Sequence, residues 1–315
     1  MSASLDVPGL DVPGHGVLDR GGVLDRGDAL DRGDALDRLL TEATGVLAGR
    51  RITALTGAGI STDSGIPDYR GPNSPARRPM TYQQFVGDQA FRRHYWARNH
   101  LGWRHVHRTR PNAGHLALAR MESGGVLHGL ITQNVDLLHQ RAGSHAVIDL
   151  HGTYARVVCL GCEHRTTRAE LAHRLEELNT GFADSVTEIR DPEIAPDADA
   201  VIASSVGFRI ADCLRCGGVL KPDIVYFGEN VPRDRVRAAY AMVDAAQALL
   251  VAGSSLTVMS GLRFVRHAAK AGIPVVIVNQ GSTRGDELAT IKIDAGCSAV
   301  LSHLADSLVP GGVPR

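Results

Sequence analysis

Short apolar runs that end in small or polar residues recur along most of this 315-residue chain. Ile52–Thr56 runs into Gly57-Ala58-Gly59, and Val126–Thr132, Ala248–Gly253 and Pro274–Asn279 end in the same manner. Their length and β-branched content predict buried strands. Stretches with helical spacing, such as Pro232–Gln247 and Gly261–Ala271, lie between them. Alternation of this kind predicts an α/β fold, a doubly wound and mostly parallel sheet with helices on both faces. Ligands bind such sheets beyond the carboxyl ends of the strands, where the polar residues fall.

The pattern fails at both ends of the chain and once inside it. The first 38 residues repeat Leu-Asp-Val-Pro-Gly twice and then Leu-Asp-Arg-Gly with a six-residue period, eight aspartates against four arginines. A glycine in every sixth position opposes a helix, so residues 1–35 are expected to be a disordered repeat tract. Order is expected from Leu36, where Leu36, Leu39, Leu40, Ala43 and Leu47 take helical spacing. Residues 154–227 carry two Cys-x-x-Cys turns and a long insert between them. The insert holds a helix opened by the capping box Thr167-x-x-Glu170 and ending at Leu178, then a loop through Asp191-Pro192 and Pro196–Asp199. Residues 310–315 are a tail.

Four thiolates on two tight turns, Cys159, Cys162, Cys213 and Cys216, match tetrahedral Zn²⁺. Four cysteines leave no open coordination position, so one structural ion is expected and the chemistry must lie elsewhere. His164 is a less favoured ligand, because the four sulfurs already complete the tetrahedron. The fifth cysteine, Cys297, stands alone, which argues against a disulfide scaffold and for a reducing, cytoplasmic setting. Formal net charge is zero and no apolar run reaches the ~20 residues of a membrane span, so neither nucleic acid nor membrane is expected as a partner.

Candidate chemistry gathers at the strand ends. Gly57-Ala58-Gly59-Ile60-Ser61 suits close approach of backbone N–H groups to phosphate, although Thr62 stands where a dinucleotide fingerprint needs its third glycine. The segment from Ser61 through Gly65 to Ile66-Pro67-Asp68-Tyr69-Arg70 is dense in turn residues and reads as a flexible loop. Gln133-Asn134-Val135-Asp136 offers amides and a carboxylate suited to a carboxamide or to sugar hydroxyls, or simply caps the next helix. His151 follows the short strand Val147–Leu150. Gly253-Ser254-Ser255 and Asn279-Gln280-Gly281 end strands with small polar groups, which is also ordinary turn chemistry. Val225-Tyr226-Phe227-Gly228-Glu229 reads as a strand broken by a glycine, able to accept an extended peptide.

In combination these segments resemble the sirtuin (Sir2) family of NAD-dependent protein-lysine deacylases, from about Leu36 to Leu308, and most resemble its class II branch. The resemblance implies a Rossmann-like NAD-binding domain, residues 36–153 and 228–309, with the zinc-binding module 154–227 inserted. It implies that His151 is the base acting on the ribose, with Asn134 beside it in the reaction. Gly57 to Ser61, Ile66 to Arg70, Gln133 to Asp136, Gly253 to Ser255, Asn279 to Gly281 and Cys297 would contact NAD. Val225 to Glu229 would bind the acyl-lysine protein or peptide. The implied reaction consumes NAD and gives nicotinamide, free lysine and O-acyl-ADP-ribose. Mono-ADP-ribosyl transfer from the same site, or a non-catalytic NAD or ADP-ribose sensor, are the alternatives.

Overall fold

Strand β1 (Ile52–Thr56) is buried at every position, and its neighbours on both sides run parallel to it. A computed structural model describes residues 26–71, 79–182, 205–309 and 311, and the features expected of residues 1–25, the loop 191–199 and most of the tail lie outside them. Besides β1, the large sheet contains β2 (Leu127–Thr132), β3 (Val147–Asp149), β7 (Ala248–Ala252), β8 (Val275–Val278) and β9 (Ile291–Ile293). Its order is β3-β2-β1-β7-β8-β9, parallel throughout. The chain therefore winds outward from β1 in one direction, returns, and winds outward in the other, so the order reverses between β1 and β7. All-apolar strands such as Ala248–Ala252 follow from this, because both sheet faces are covered.

The chain divides into two units, Met1–Asp37 and Arg38–Arg315. Helix α1 spans Arg26–Leu47, so it begins ten residues before the expected onset at Leu36. The glycines at 27 and 33 do not prevent it. One glycine costs a helix about 1 kcal/mol relative to alanine, and Ala29, Leu30 and Arg32 between them are good helix formers once a nucleus exists. Within the second unit come α2 (Tyr82–Gly87), α3 (Gln89–Arg108), α4 (Ala113–Ser123) and α5 (Leu138–Arg141). The later helices are α6 (Arg168–Leu178), α7 (Arg233–Asp244), α8 (Met259–Lys270) and α9 (Cys297–Leu308). Helix α6 carries the expected capping box, with Glu170 N donating to the Thr167 hydroxyl at 3.1 Å. No helix among the described residues is long and apolar enough to cross a membrane.

The cysteine-bearing segment folds as a small antiparallel sheet, β5-β4-β6, of Arg165–Thr167, Gly152–Cys159 and Leu220–Ile224. Its core is not its own. Phe85, Tyr95 and Trp96 from α2 and α3 pack in one cluster with Tyr154, Leu171, Leu175 and Tyr226. Arg168, fully buried, fastens α6 to α3: its Nε and Nη2 donate to Asn99 Oδ1 at 3.1 and 2.9 Å. Its guanidinium lies 5.6 Å from the Trp96 ring and 5.2 Å from that of Trp103. The sequence boundary at residue 154 thus divides the chain but not this core, which also draws on the helices before β2.

At the reversal of strand order, β1 and β7 leave the sheet almost touching. Gly59 N donates to Gly253 O at 2.8 Å, and Gly253 sits at φ 64°. A methyl group on Gly253 would lie 2.5 Å from Gly59 C, and one on Gly57 would lie 2.8 Å from Gly253 O. Gly253→Ala is expected to lower stability by about 2–5 kcal/mol, strain and overlap together, as read by urea denaturation. Gly49→Ala isolates the strain, since Gly49 also has φ 69° but open space around the added methyl. It should cost only about 1–2 kcal/mol.

Candidate functional site

Three strand ends supply the polar groups. After β1 the chain makes two short 3₁₀ turns, Ala58–Ile60 and Thr62–Ser64, the second of them inside the segment expected from Ser61 to Arg70 as a flexible loop. Backbone bonds from Ser61 N to Ala58 O (3.0 Å) and from Gly65 N to Thr62 O (2.9 Å) close them. The buried Ser61 side chain pins the turns to the end of β2: its hydroxyl donates to Asp136 Oδ2 at 2.8 Å and accepts from Asn134 Nδ2 at 3.1 Å. Asn134 Nδ2 also donates to Gly57 O at 3.0 Å, and Gln133 Nε2 donates to Ser254 Oγ at 2.8 Å, reaching the end of β7. Burial pushes the Asp136 carboxyl up from its ordinary range, opposed by hydrogen bonds from Leu138 N and Ser61.

His151 stands where β3 ends and β4 begins. Its Nδ1 lies 2.9 Å from Gln133 O and its Nε2 lies 2.8 Å from Ser260 Oγ. A carbonyl only accepts, so Nδ1 carries the proton and Nε2 presents a lone pair, which takes the Ser260 hydroxyl hydrogen. Burial pushes this imidazole down to about 4; the bond to Gln133 opposes the fall and the nearby Arg235 charge adds to it. His151 is therefore a neutral base throughout the physiological range.

A cavity of about 540 Å³ opens above these groups. Its lining includes Gly57, Ala58, Gly59, Ser61, Ile66 and Asp68–Arg70, Gln133–Asp136, His151, Gly253–Ser255 and Asn279–Gly281. Ile60, Pro67 and Cys297 are not part of it. Ile60 is fully buried beneath the first 3₁₀ turn, and Cys297 turns its sulfur toward Val278 O, 3.9 Å away, with burial pushing the thiol up to about 12. Val225–Glu229 lines the opposite wall, but as a turn and not as the expected strand. Gly228 takes φ 79°, and the Glu229 carboxylate folds back to accept from Tyr226 N at 2.9 Å while pairing with Lys221 Nζ at 3.1 Å.

The sequence did not single out Ser260, Arg263, Met80 or Val231, all of which line the cavity. Ser260 and Arg263 sit on the first turns of α8, and nothing in their local pattern marks a site. His115 and His139 were also missed. They pack ring to ring at 4.8 Å behind Ser61, and His139 Nε2 lies 2.9 Å from Thr56 Oγ1. Burial holds His115 down at about 4 and His139 well below the ordinary value. The one sequence signal was Asn112-x-x-His115, which the structure shows as a capping box.

The four cysteine sulfurs of Cys159, Cys162, Cys213 and Cys216 all lie within 4.8 Å of one another. Cys159 and Cys216 are 3.5 Å apart and Cys162 and Cys213 3.8 Å apart. A tetrahedron with 2.3 Å Zn–S bonds has edges of about 3.8 Å, so the cluster is compatible with one structural zinc ion. His164 takes no part; its Nδ1 lies 3.4 Å from Arg215 Nη1.

Comparisons with known proteins agree with this geometry. A family model described as "Sir2 family" matches residues 57–260. A protein of Mycobacterium avium (strain 104), "NAD-dependent protein deacetylase 1", is 65% identical over 85% of this chain and 95% of its own. A Streptomyces coelicolor protein of the same description is 54% identical over 82% of this chain and 86% of its own. Among solved structures, "The Structural basis for Sirtuin Substrate affinity" superposes with TM-score 0.68 at 30% identity, covering 85% of this chain and 97% of that one. "Sir2-p53 peptide-NAD+" superposes with TM-score 0.65, also at 30% identity and the same coverage.

Two outcomes follow from the buried groups. In the unfolded chain histidines protonate near pH 6.5, whereas His115 and His151 resist to about 4, so stability should fall as pH drops through that window. The slope should approach ~1.4 kcal/mol per pH unit for each such histidine. The raised carboxyls of Asp136 and Asp149 act in the opposite sense at its acid end. Urea midpoints that stay level between pH 6.5 and 5 would contradict this. Cys216→Ser should lose about one equivalent of zinc by elemental analysis and expose the β4–β6 sheet to proteolysis before the parallel sheet.

Proposed function

Because the chain belongs to the Sir2 family, we propose that it is an NAD-dependent protein deacetylase whose base is His151. It removes acyl groups from lysines of protein substrates and consumes NAD as a co-substrate. When bound, NAD supplies the ribose carbon that loses nicotinamide and receives the acyl oxygen.

The observation that carries the assignment of roles is the fixed tautomer of His151. Gln133 O holds Nδ1–H, so the lone pair on Nε2 faces the cavity side, capped by Ser260. A ribose hydroxyl that displaces the Ser260 hydroxyl meets a base already in the correct protonation state. Asn134 spans Gly57 O and Ser61 and fixes the β1 and β2 ends at one spacing. Gln133, Asn134 and Asp136 form the polar end of the cavity and suit the nicotinamide carboxamide and its ribose. Ser254, Ser255 and Asn279–Gly281 lie at the other strand ends and suit the adenosine half. Ile66, Met80, Val135 and Phe227 line the cavity with apolar surface, which keeps water from competing for the departing bond. The Val225–Glu229 turn, rigid through the Lys221–Glu229 pair, is the wall against which an acyl-lysine peptide lies. The parallel sheet, residues 36–153 and 228–309, is assigned to NAD and residues 154–227 to the zinc module.

Wild-type protein incubated with NAD and an acetyl-lysine peptide should release nicotinamide and deacetylated peptide in equal amounts. His151→Ala should lower kcat by about 10²–10⁴-fold. Full peptide deacetylation by that variant would sink the assignment of the base. Protein-bound ADP-ribose without deacetylated peptide would favour transfer chemistry from the same cavity.

A further inference from the structure

Beside the first cavity, between α7 and α8, lies a second of about 550 Å³. Arg233, Val236, Arg237 and Tyr240 of α7 and Arg263 of α8 form its sides. Asn230, Val231 and Arg263 line both cavities, so the groove continues outward from the wall against which substrate is proposed to lie.

The charge in this groove is unbalanced. The whole chain has no net charge, yet three arginines and no carboxylate line this groove; of the three, Arg237 pairs with Asp234 of its own helix. Arg235, on the same helix, points the other way and pairs with Asp223 at 2.9 Å. Arg233 and Arg263 have no carboxylate within ion-pair distance among the described residues; Arg263 Nε donates only to Met259 O of its own helix, at 3.3 Å. Arg233 is also misplaced by the ordinary rule. It is the first residue of α7, an exposed position where the helix dipole favours an acidic side chain and disfavours a cation. A residue that opposes local stability, with no ion-pair partner among the described residues, points to a partner outside them.

We propose that this groove reads acidic residues flanking the acyl-lysine of the substrate polypeptide. The inference rests on the deacetylase reading above and adds to it the charge of the preferred substrate sequence. An extended chain advances about 3.3 Å per residue, so side chains within a few positions of the modified lysine reach the groove from the Val225–Glu229 wall. The guanidinium groups donate to carboxylates, and Val236 and Tyr240 cover the methylenes of a glutamate.

The test uses acetyl-lysine peptides that are identical except for paired Glu, Ala or Lys residues on the N-terminal or the C-terminal side. Binding is read by fluorescence anisotropy and turnover by deacetylation with NAD. On one side, Glu should tighten binding and lower KM by about 3–10-fold relative to Ala, with Lys acting in the opposite sense, and 0.5 M salt should erase the difference. Arg233→Glu should reverse the order in favour of Lys. Because Glu suits a helix N-terminus, its melting temperature should be no lower than that of the wild type, which separates lost recognition from lost folding. Equal binding of all peptides by the wild-type protein, or a Glu preference that survives Arg233→Glu, overturns the inference. A Glu preference in binding without any turnover leaves the groove standing and removes the deacetylase reading instead.

Discussion

The contact between the ends of β1 and β7 is the constraint on which the rest of the site depends. These strands leave a parallel sheet whose order reverses between them, and their glycines meet with a backbone hydrogen bond of 2.8 Å. With no Cβ on either side, Gly57 and Gly253 let the two chains part directly at the sheet edge, and the crevice begins there. Two of the amides above it are placed by bonds back to this junction. Asn134 reaches Gly57, and Gln133 reaches Ser254. A shift in the junction would therefore move the whole cavity floor, not one residue of it.

His151 hangs from a second junction, between the large sheet and the small one. Gly152 takes φ 82°, and any side chain there would overlap the carbonyl of Asp223 on β6. Val225 N donates to His151 O at 2.7 Å, so the base is held from both sheets at once. The metal cluster lies at the opposite end of the same strand, since β4 runs from Gly152 to Cys159. The β6 residues that pair with these two ends, Ile224 and Leu220, are four strand steps or about 13 Å apart, several times any zinc–ligand bond, so zinc has no direct role at the cavity. Its influence passes through the β4–β6 pairing, which carries the Val225–Glu229 wall.

Much of this was legible in the chain because burial writes a clear signal. Strand β1 was expected at Ile52–Thr56 and occurs there, and β2, β3, β7 and β8 begin and end within a residue of their apolar runs, whereas the three-residue edge strand β9 was not singled out. The glycines, the amides and His151 stood out because they interrupt those runs. What was not legible shares a different cause. Ser260, Arg263, His115 and His139 lie on helices, where residues that meet the cavity are three or four apart and are diluted by residues that do not. Val225–Glu229 is apolar like a strand, but its shape is set by a tertiary bond from Glu229 and by the left-handed Gly228. The shared core of α2, α3 and the cysteine module depends on Arg168 meeting Asn99, a contact between residues 69 apart in sequence.

The desolvation that shapes the cavity also sets the chemistry open to it. An imidazole held at about 4 is unprotonated by roughly a thousandfold at pH 7, so readiness is not limiting. It is also a weak base and cannot remove a proton from a resting hydroxyl, whose own affinity for that proton is far greater. Transfer becomes favourable only as the hydroxyl oxygen forms its new bond and acidifies, so proton removal and attack must proceed together. The Arg235 charge beside the ring opposes early protonation, and the Ser260 hydroxyl occupies Nε2 until something displaces it. A base restrained in both ways is inert toward stray water and responds to a nucleophile that is already bonding. That selectivity is bought with acid lability, because the same burial leaves the folded protein unable to take up protons that its unfolded chain accepts.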